Sequence, residues 1–228
     1  VRLIRITAAF QLSRVPAEYL GKPGVKQREK VLQEYVQTQM INADHPSAHM
    51  NLGILALNQG NNAGAEAFYK KALEVEPAMT TAYINLADLY RVMNRDQEGE
   101  QVLRNAIERG PDMAAVNYAL GLNLVRKGAH EEAMKYLEQA SAMEPTNARY
   151  AYVYGVGLHS TDKQQEAVSF LEKALLDNPF DRDLLYSLST FNQEQGRRKE
   201  ALKYAEKLLE YYPGDQNYQQ LIQYLRLN

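Results

Sequence analysis

The sequence predicts an all-α solenoid, a stack of antiparallel helix pairs with a capping helix at each end. The first observation is an internal period, because prolines recur every 34 residues at Pro77, Pro111, Pro145, Pro179 and Pro213. The second observation is that small residues recur with the same period inside each unit. A repeat of this length is typical of arrays built from helix pairs.

The small residues mark the points where the two helices of a pair cross. When units that start at 46, 80, 114, 148 and 182 are aligned, one column holds Gly53, Ala87, Gly121, Gly155 and Ser189. Two further columns hold mostly alanine. Antiparallel helices approach closely only where neither carries a large side chain. The proline then ends the second helix of each pair, because it cannot continue it.

This pattern resembles the tetratricopeptide (TPR) repeat, which implies a right-handed solenoid. The resemblance covers five units, at 46–79, 80–113, 114–147, 148–181 and 182–213. The tryptophan usual in the family's first helix is missing, and its positions hold His49, Tyr83, Asn117, Ala151 and Leu185. Residues 214–228 predict an amphipathic helix that covers the last exposed face of the array.

The first 45 residues lack the repeat. Residues 26–42 predict a helix that packs on the first unit as a cap, separated by a break at 21–24 (GKPG) from the segment before it. Residues 1–20 resemble the last helix of a HEAT-like repeat, and Val1 reads as the middle of a helix, so we expect further residues upstream. The whole arrangement resembles the C-terminal region of bacterial multihaem c-type cytochromes with TPR tails. The haem-attachment signature CxxCH is absent from this sequence.

Composition narrows the classes of partner. The formal net charge of −2 argues against nucleic acid, which requires a basic face. No apolar run approaches the ~20 residues of a membrane-spanning helix, so we expect no membrane insertion. The chain has no cysteine, which leaves the compartment open. The cytochrome resemblance would imply the periplasm, and the cytoplasm is the alternative.

No motif predicts catalysis, a cofactor or a metal ion. A glycine-rich phosphate loop, a nucleophile elbow and paired carboxylates at a strand end are all missing. His45 and His49 have the four-residue spacing of a zinc pair on a helix. However, His45 precedes Pro46 in a loop, and no third ligand accompanies the pair. We therefore expect a protein that is not an enzyme and binds neither a cofactor nor a metal ion.

The TPR resemblance implies a concave groove lined by the first helix of each unit. Tyr118, Tyr152 and Tyr186 share the fifth position of their units and would form a ladder of amphipathic rings. The residues expected in a peptide-binding groove are Met50, Ile84, Asp88, Arg91, Tyr118, Leu122, Arg126, Arg149, Tyr152, Val156, His159 and Tyr186. Such a groove suits an extended or helical peptide. The alternative is an ordinary solvated face.

Residues 148–162, ARYAYVYGVGLHSTD, concentrate three tyrosines and one histidine. Tyr154 occupies a column that is leucine in the other units, and Tyr150 lies on the same helical side, so both are expected to pack into the core. Tyr152 and His159 are expected to face the groove. The positions of the carboxylate clamp of chaperone-binding TPRs hold Met50, Ile54, Asn85, Ala115 and Ala119, of which only Asn85 fits that pattern.

Two functional hypotheses follow. The first is a non-catalytic scaffold that binds a peptide or protein segment in the groove. The second is a docking or assembly domain of a larger periplasmic multihaem redox protein. Under either hypothesis, the apolar N-terminal segment could pair with a copy of itself and form a homo-oligomer.

Overall fold

The computed structural model describes residues 4, 8, 10–110 and 114–227, and every regular element within those residues is helical. A short 3₁₀-helix at Ala17–Tyr19 precedes the α-helices. These are α1 (Gly21–Ile41), α2 (Pro46–Asn58), α3 (Asn62–Val75), α4 (Thr80–Val92), α5 (Asp96–Arg109), α6 (Ala114–Arg126), α7 (His130–Met143), α8 (Ala148–Ser160), α9 (Gln164–Asp177), α10 (Arg182–Glu194), α11 (Arg198–Tyr211) and α12 (Gln216–Leu227). Residues 1–3, 5–7 and 9 of the expected HEAT-like helix lie outside the described residues, as does Pro111.

The helix boundaries repeat with the period of the sequence. The first helices of the pairs begin at Pro46, Thr80, Ala114, Ala148 and Arg182. The second helices end at Val75, Arg109, Met143, Asp177 and Tyr211, two residues before each proline of the 34-residue series. Helix α12 begins at Gln216, where the first helix of a sixth pair would begin.

The turn inside each pair requires a left-handed residue. Gly60, Gly128 and Gly196 have φ values of +73°, +78° and +73°, and glycine adopts them at no steric cost. In the second and fourth repeats the same position holds Asn94 and Asp162, at φ values of +56° and +59°. These two residues tolerate the left-handed region better than most side chains do, but they still carry a Cβ that opposes it.

The chain also divides into two compact units that are larger than the repeats. The first unit is Val1–Ala119 and the second unit is Leu120–Asn228, with the boundary inside α6. In the first unit each helix from α1 to α5 packs against the next one. Tyr69, Leu86 and Leu89 are at most 2% exposed and form its centre. A Cβ added to Gly53 would lie 2.4 Å from the ring of Tyr69, so glycine sets the distance between α2 and α3.

Helix α1 corrects one expectation at the N-terminal end. The helix begins at Gly21, so the GKPG segment forms its first turn, and the break is confined to Gly21 itself, whose φ is +61°. Pro23 is accommodated there because the N–H groups of a first turn have no intrahelical acceptor. Further along α1, the buried residues Val31, Leu32 and Tyr35 pack in one cluster with Leu55 of α2.

In the second unit the consecutive helices from α7 to α12 pack in order, and α8 also contacts α10. Its centre is a row of leucines, among them Leu120, Leu137, Leu171 and Leu188, each at most 1% exposed. Helix α12 buries Tyr218, Ile222 and Leu225. The positions where the TPR tryptophan is missing are also buried in both units, at no more than 5% exposure each: His49, Tyr83, Asn117, Ala151 and Leu185.

Candidate protein-binding face

Helices α8 and α10 lie side by side in the second unit and are joined at both ends. Near their N-termini, Nη1 of Arg149 lies 3.9 Å from Oδ2 of Asp183. Near their C-termini, the ring of His159 stacks on that of Phe191, with 3.7 Å between centroids. We call the surface formed by Arg149, Tyr152, Val156 and His159 of α8 and Tyr186 of α10 the tyrosine face.

The middle of the tyrosine face is apolar. Tyr152 and Val156 are half-buried and pack against the core of the second unit, which fixes their positions. Tyr186 is 47% exposed, which is high for a large aromatic side chain. The guanidinium of Arg149 lies 5.5 Å from the ring centroid of Tyr152, within the range of a cation–π contact.

Charged groups bound the face at both ends. The side chains of Arg149 and Asp183 are 61% and 54% exposed, so water weakens their attraction. At the other end, Nε2 of His159 lies 3.0 Å from Oε2 of Glu194. This is an ion pair only when the imidazole is protonated, and the approach lacks the alignment of a hydrogen bond. The carboxylate of Glu194 remains accessible, because its side chain is 58% exposed.

Three more expected groove residues lie on α6. Leu122 is half-buried and Arg126 is exposed. Nη1 of Arg126 donates a hydrogen bond to the carbonyl oxygen of Leu122, at 3.2 Å, which holds the guanidinium along its own helix. Tyr118, on the part of α6 that belongs to the first unit, is half-buried.

The first unit exposes fewer of the expected groove residues than the sequence predicts. Met50, expected in the groove, is 6% exposed and belongs to the apolar cluster that contains Tyr69 and Leu86, so it is a core residue. Its flexible thioether side chain fills the space between the helices there. Ile84 is half-buried, whereas Asp88 and Arg91 are exposed. Nε of Arg91 lies 2.8 Å from Oδ1 of Asp88, so the two charges offset each other within α4.

Sequence reasoning missed two exposed apolar residues on α12. Tyr224 is 50% exposed and Leu227 is 84% exposed. They come 68 residues after Val156 and His159, so they occupy the same columns of the repeat. The signal was present in the 34-residue period, but it required α12 to be aligned as another first helix.

Tyr154 points away from the tyrosine face. Its ring meets that of Phe170 edge to face at 4.9 Å between centroids. Burial raises the pKa of Tyr154 to about 12, and the nearby carboxylate of Glu138 adds to the shift. Tyr150 is half-buried on the same helix. Only one half of the aromatic stretch therefore contributes to the face.

The two histidines with metal-like spacing lie in different environments. His49 is buried, and its Nε2 lies 2.8 Å from the carbonyl oxygen of Ala43. His45 is exposed at the start of α2. Within the part of the chain that the structure describes, no three side chains of the metal-ligating types converge. Among the same residues, no helix has both the length and the apolarity needed to span a membrane.

Comparison with models of protein families identifies the family to which the repeats belong. Tetratricopeptide repeat models match residues 56–122, 97–155 and 183–215. The chain belongs to the tetratricopeptide repeat family. The expected TPR solenoid is confirmed, and such helical arrays serve as scaffolds for protein–protein interaction. The resemblance to multihaem cytochromes stays a prediction.

Solved TPR structures share the fold at low sequence identity. MamA has 24% identity and a TM-score of 0.62, over 70% of this chain and 94% of MamA. PilF of Pseudomonas aeruginosa has 20% identity and a TM-score of 0.63, over 96% and 97% of the two chains. YrrB, described as a TPR protein with an unusual peptide-binding site, has 22% identity and a TM-score of 0.60, over 83% and 96%.

One curated relative is an enzyme. Protein O-mannosyl-transferase TMTC3 of Mus musculus is 31% identical over 116 residues, which cover 44% of this chain. The match spans only 13% of the mouse protein. The similarity is therefore confined to a small part of that enzyme.

Proposed function

We propose that this TPR protein is a non-catalytic scaffold whose tyrosine face binds a segment of a partner protein. The observation that carries the proposal is the half-exposed ring of Tyr186 on α10, a helix that contacts α8, where the core fixes the apolar surface of Tyr152 and Val156. Aromatic side chains of this kind dominate the energetics of protein interfaces, because they bury a large area at a small cost in conformational entropy.

The charges around the face favour a particular kind of segment. Apolar side chains of the partner would cover Tyr152, Val156 and Tyr186. A lysine or arginine of the partner would meet the exposed carboxylate of Glu194, since the histidine beside it offsets that charge only when protonated. Arg149 and Asp183 already offset each other at the opposite end. We therefore propose an apolar segment with a cationic residue at one end.

Tyr224 and Leu227 of α12 strengthen the case for an apolar ligand. Both are at least half exposed, and both occupy columns that in α8 belong to the tyrosine face. In this proposal they offer additional apolar surface to a longer segment.

Selection from a random peptide library tests the proposal. Peptides selected on the chain would be titrated into variants by calorimetry. We expect Tyr186→Ala to weaken binding about tenfold or more, as loss of an aromatic anchor does. Glu194→Gln should weaken those peptides that carry a cationic residue and leave neutral ones unchanged.

Tyr19→Ala is the matched control, because Tyr19 is 75% exposed and lies in the other unit. This change should leave binding unaltered. Selected peptides that bind Tyr186→Ala and Glu194→Gln as tightly as the unmodified chain would show that the tyrosine face is not the binding surface.

A further inference from the structure

A second candidate site lies in the first unit, between the start of α1 and the end of α2. It is a cavity of about 450 Å³ lined by Arg14, Arg28, Glu29, Asn58 and Gln59, among others. Cavities of this size are typical of ligand sites. We call it the arginine pocket.

The guanidinium of Arg28 is held in place but incompletely hydrogen-bonded. Its Nη1 donates to the carbonyl oxygen of Val15 at 2.6 Å, which ties α1 to the segment before it. Its Nε is buried and has no hydrogen-bond partner among the described residues. A buried donor without an acceptor is costly, so an acceptor that enters the pocket would gain by pairing with this N–H group.

Neither arginine of the pocket has a carboxylate partner among the described residues. Arg14 lies over the ring of Phe10, 5.5 Å from its centroid, and forms no ion pair there. Glu29, which follows Arg28 in the sequence, lines the pocket without pairing with either guanidinium. Residues 1–17 contain no aspartate or glutamate, so that segment cannot supply the missing charge.

The surrounding sequence is basic although the whole chain is not. Residues 1–30 hold seven basic and two acidic residues, a net charge of +5, whereas the chain as a whole carries −2. In the lining, the amide of Asn58 already donates to Oγ of Ser13 at 2.9 Å, and the amide of Gln59 adds a neutral hydrogen-bond donor. The pocket thus combines a positive field with the fixed guanidinium of Arg28, as anion sites do.

We propose that the arginine pocket binds a carboxylate side chain of an acidic protein segment. Guanidinium groups match the planar geometry of a carboxylate and form paired hydrogen bonds with it. Two guanidiniums and the carboxylate of Glu29 leave one net positive charge, which suits a singly charged carboxylate better than a doubly charged phosphate. This site is separate from the tyrosine face and does not depend on its function.

Titration with hexaglutamate tests the proposal on the whole chain. Hexaglutamate should bind, hexaglutamine should not, and inorganic phosphate should bind more weakly than hexaglutamate. The Nε–H resonance of Arg28, followed by NMR, should shift on addition of hexaglutamate. Arg14→Gln and Arg28→Gln should each weaken binding about tenfold, the effect of losing one charge-assisted hydrogen bond.

Lys26→Gln is the matched control, because Lys26 is exposed on α1 and does not line the pocket, while the change in net charge is the same. Its effect should be less than about twofold, as for a screened surface charge. Equal losses in Lys26→Gln and Arg14→Gln would overturn the proposal, since they would indicate binding by net charge alone. Absence of hexaglutamate binding, or tighter binding of phosphate, would also overturn it. Because Arg14 is exposed, Arg14→Gln keeps the test valid even if Arg28→Gln does not fold.

Discussion

The imidazole ring of His159 lies parallel to the ring of Phe191, with 3.7 Å between centroids and 11° between planes. The two residues belong to the first helices of adjacent repeats, so the stack sets the separation of α8 and α10 at one end of the tyrosine face. His159 is therefore both a residue of the face and a structural contact. Phe191 is buried and holds the imidazole in a fixed orientation.

Replacing His159 should show how much this ring stack contributes to the stability of the chain. We expect His159→Ala to lower the free energy of unfolding by about 1–2 kcal/mol, because it removes an aromatic pair and leaves part of Phe191 uncovered. His159→Phe should retain most of the stability, since the stack is preserved. Urea denaturation compares the variants, and equal losses in both would mean that the contact to Glu194, and not the stack, stabilises the pair of helices.

Gly53 should tolerate no side chain. Its added Cβ would approach two ring carbons of Tyr69 at 2.4 and 2.5 Å, and Tyr69 is 1% exposed and cannot move aside. We expect Gly53→Ala to cost about 1–3 kcal/mol in the free energy of unfolding despite the better helix propensity of alanine. Gly214→Ala is the control, because no atom lies within 4 Å of its added Cβ. Thermal denaturation of both variants checks the expectation, which is wrong if Gly53→Ala melts at or above the temperature of Gly214→Ala.

Replacing Asp162 by glycine should raise the stability of the chain. The φ of Asp162, at +59°, lies in the left-handed region, as do those of Gly128 and Gly196, at +78° and +73°, at the same position of their repeats. We expect Asp162→Gly to stabilise the chain by about 0.5–1 kcal/mol, the strain of a left-handed residue less the extra freedom of glycine in the unfolded chain. Lys163→Gly, in the same turn at a φ of −103°, should destabilise it instead. A gain of stability in both variants, measured by urea denaturation, would contradict this explanation.

Glu66 should make the free energy of unfolding depend on pH in the acid range. Burial disfavours its charged form, but hydrogen bonds from Arg95, Lys70 and Tyr90 outweigh burial and lower the pKa of Glu66 from 4.5 to about 2. As the pH falls, the carboxyl group of Glu66 is therefore protonated in the unfolded chain before it is protonated in the folded chain. The stabilisation is complete above pH 4.5 and is lost as the pH falls toward 2, and we expect it to be about 3 kcal/mol.

Glu66→Gln isolates the contribution of this carboxyl group. Urea unfolding measured from pH 7 to pH 3 should show a shallower loss of stability in Glu66→Gln than in the unmodified chain, because the variant has no proton to take up at this position. Parallel curves for the two proteins would mean that Glu66 has an ordinary pKa in the folded state.

The repeat could be predicted from sequence because its signals are local and occur five times. Proline and glycine positions, and the columns of small residues, depend on backbone geometry within one unit. The resemblance to TPR proteins also placed Tyr152 and His159 on one side of α8 and Tyr154 on the other. The period alone already implied that Tyr224 belongs to a first-helix column.

Features that the repeat pattern does not encode were not predictable in this way. Met50 is buried because of how α2, α3 and α4 pack together, which its position in the unit does not encode. The GKPG segment becomes helical because Pro23 falls in a first turn, where a missing N–H is harmless. The hydrogen bond from Arg28 to Val15 joins segments whose relative placement no local pattern specifies.

Photo-cross-linking tests the central claim, that the tyrosine face binds a protein segment, most directly. A benzophenone amino acid would be placed at position 186 in one protein and at position 19 in another, and each would be irradiated with a library-selected peptide. We predict a covalent adduct with the peptide at position 186 and none at position 19. Equal cross-linking at both positions, or cross-linking at position 19 alone, would contradict the assignment of the tyrosine face as the binding surface.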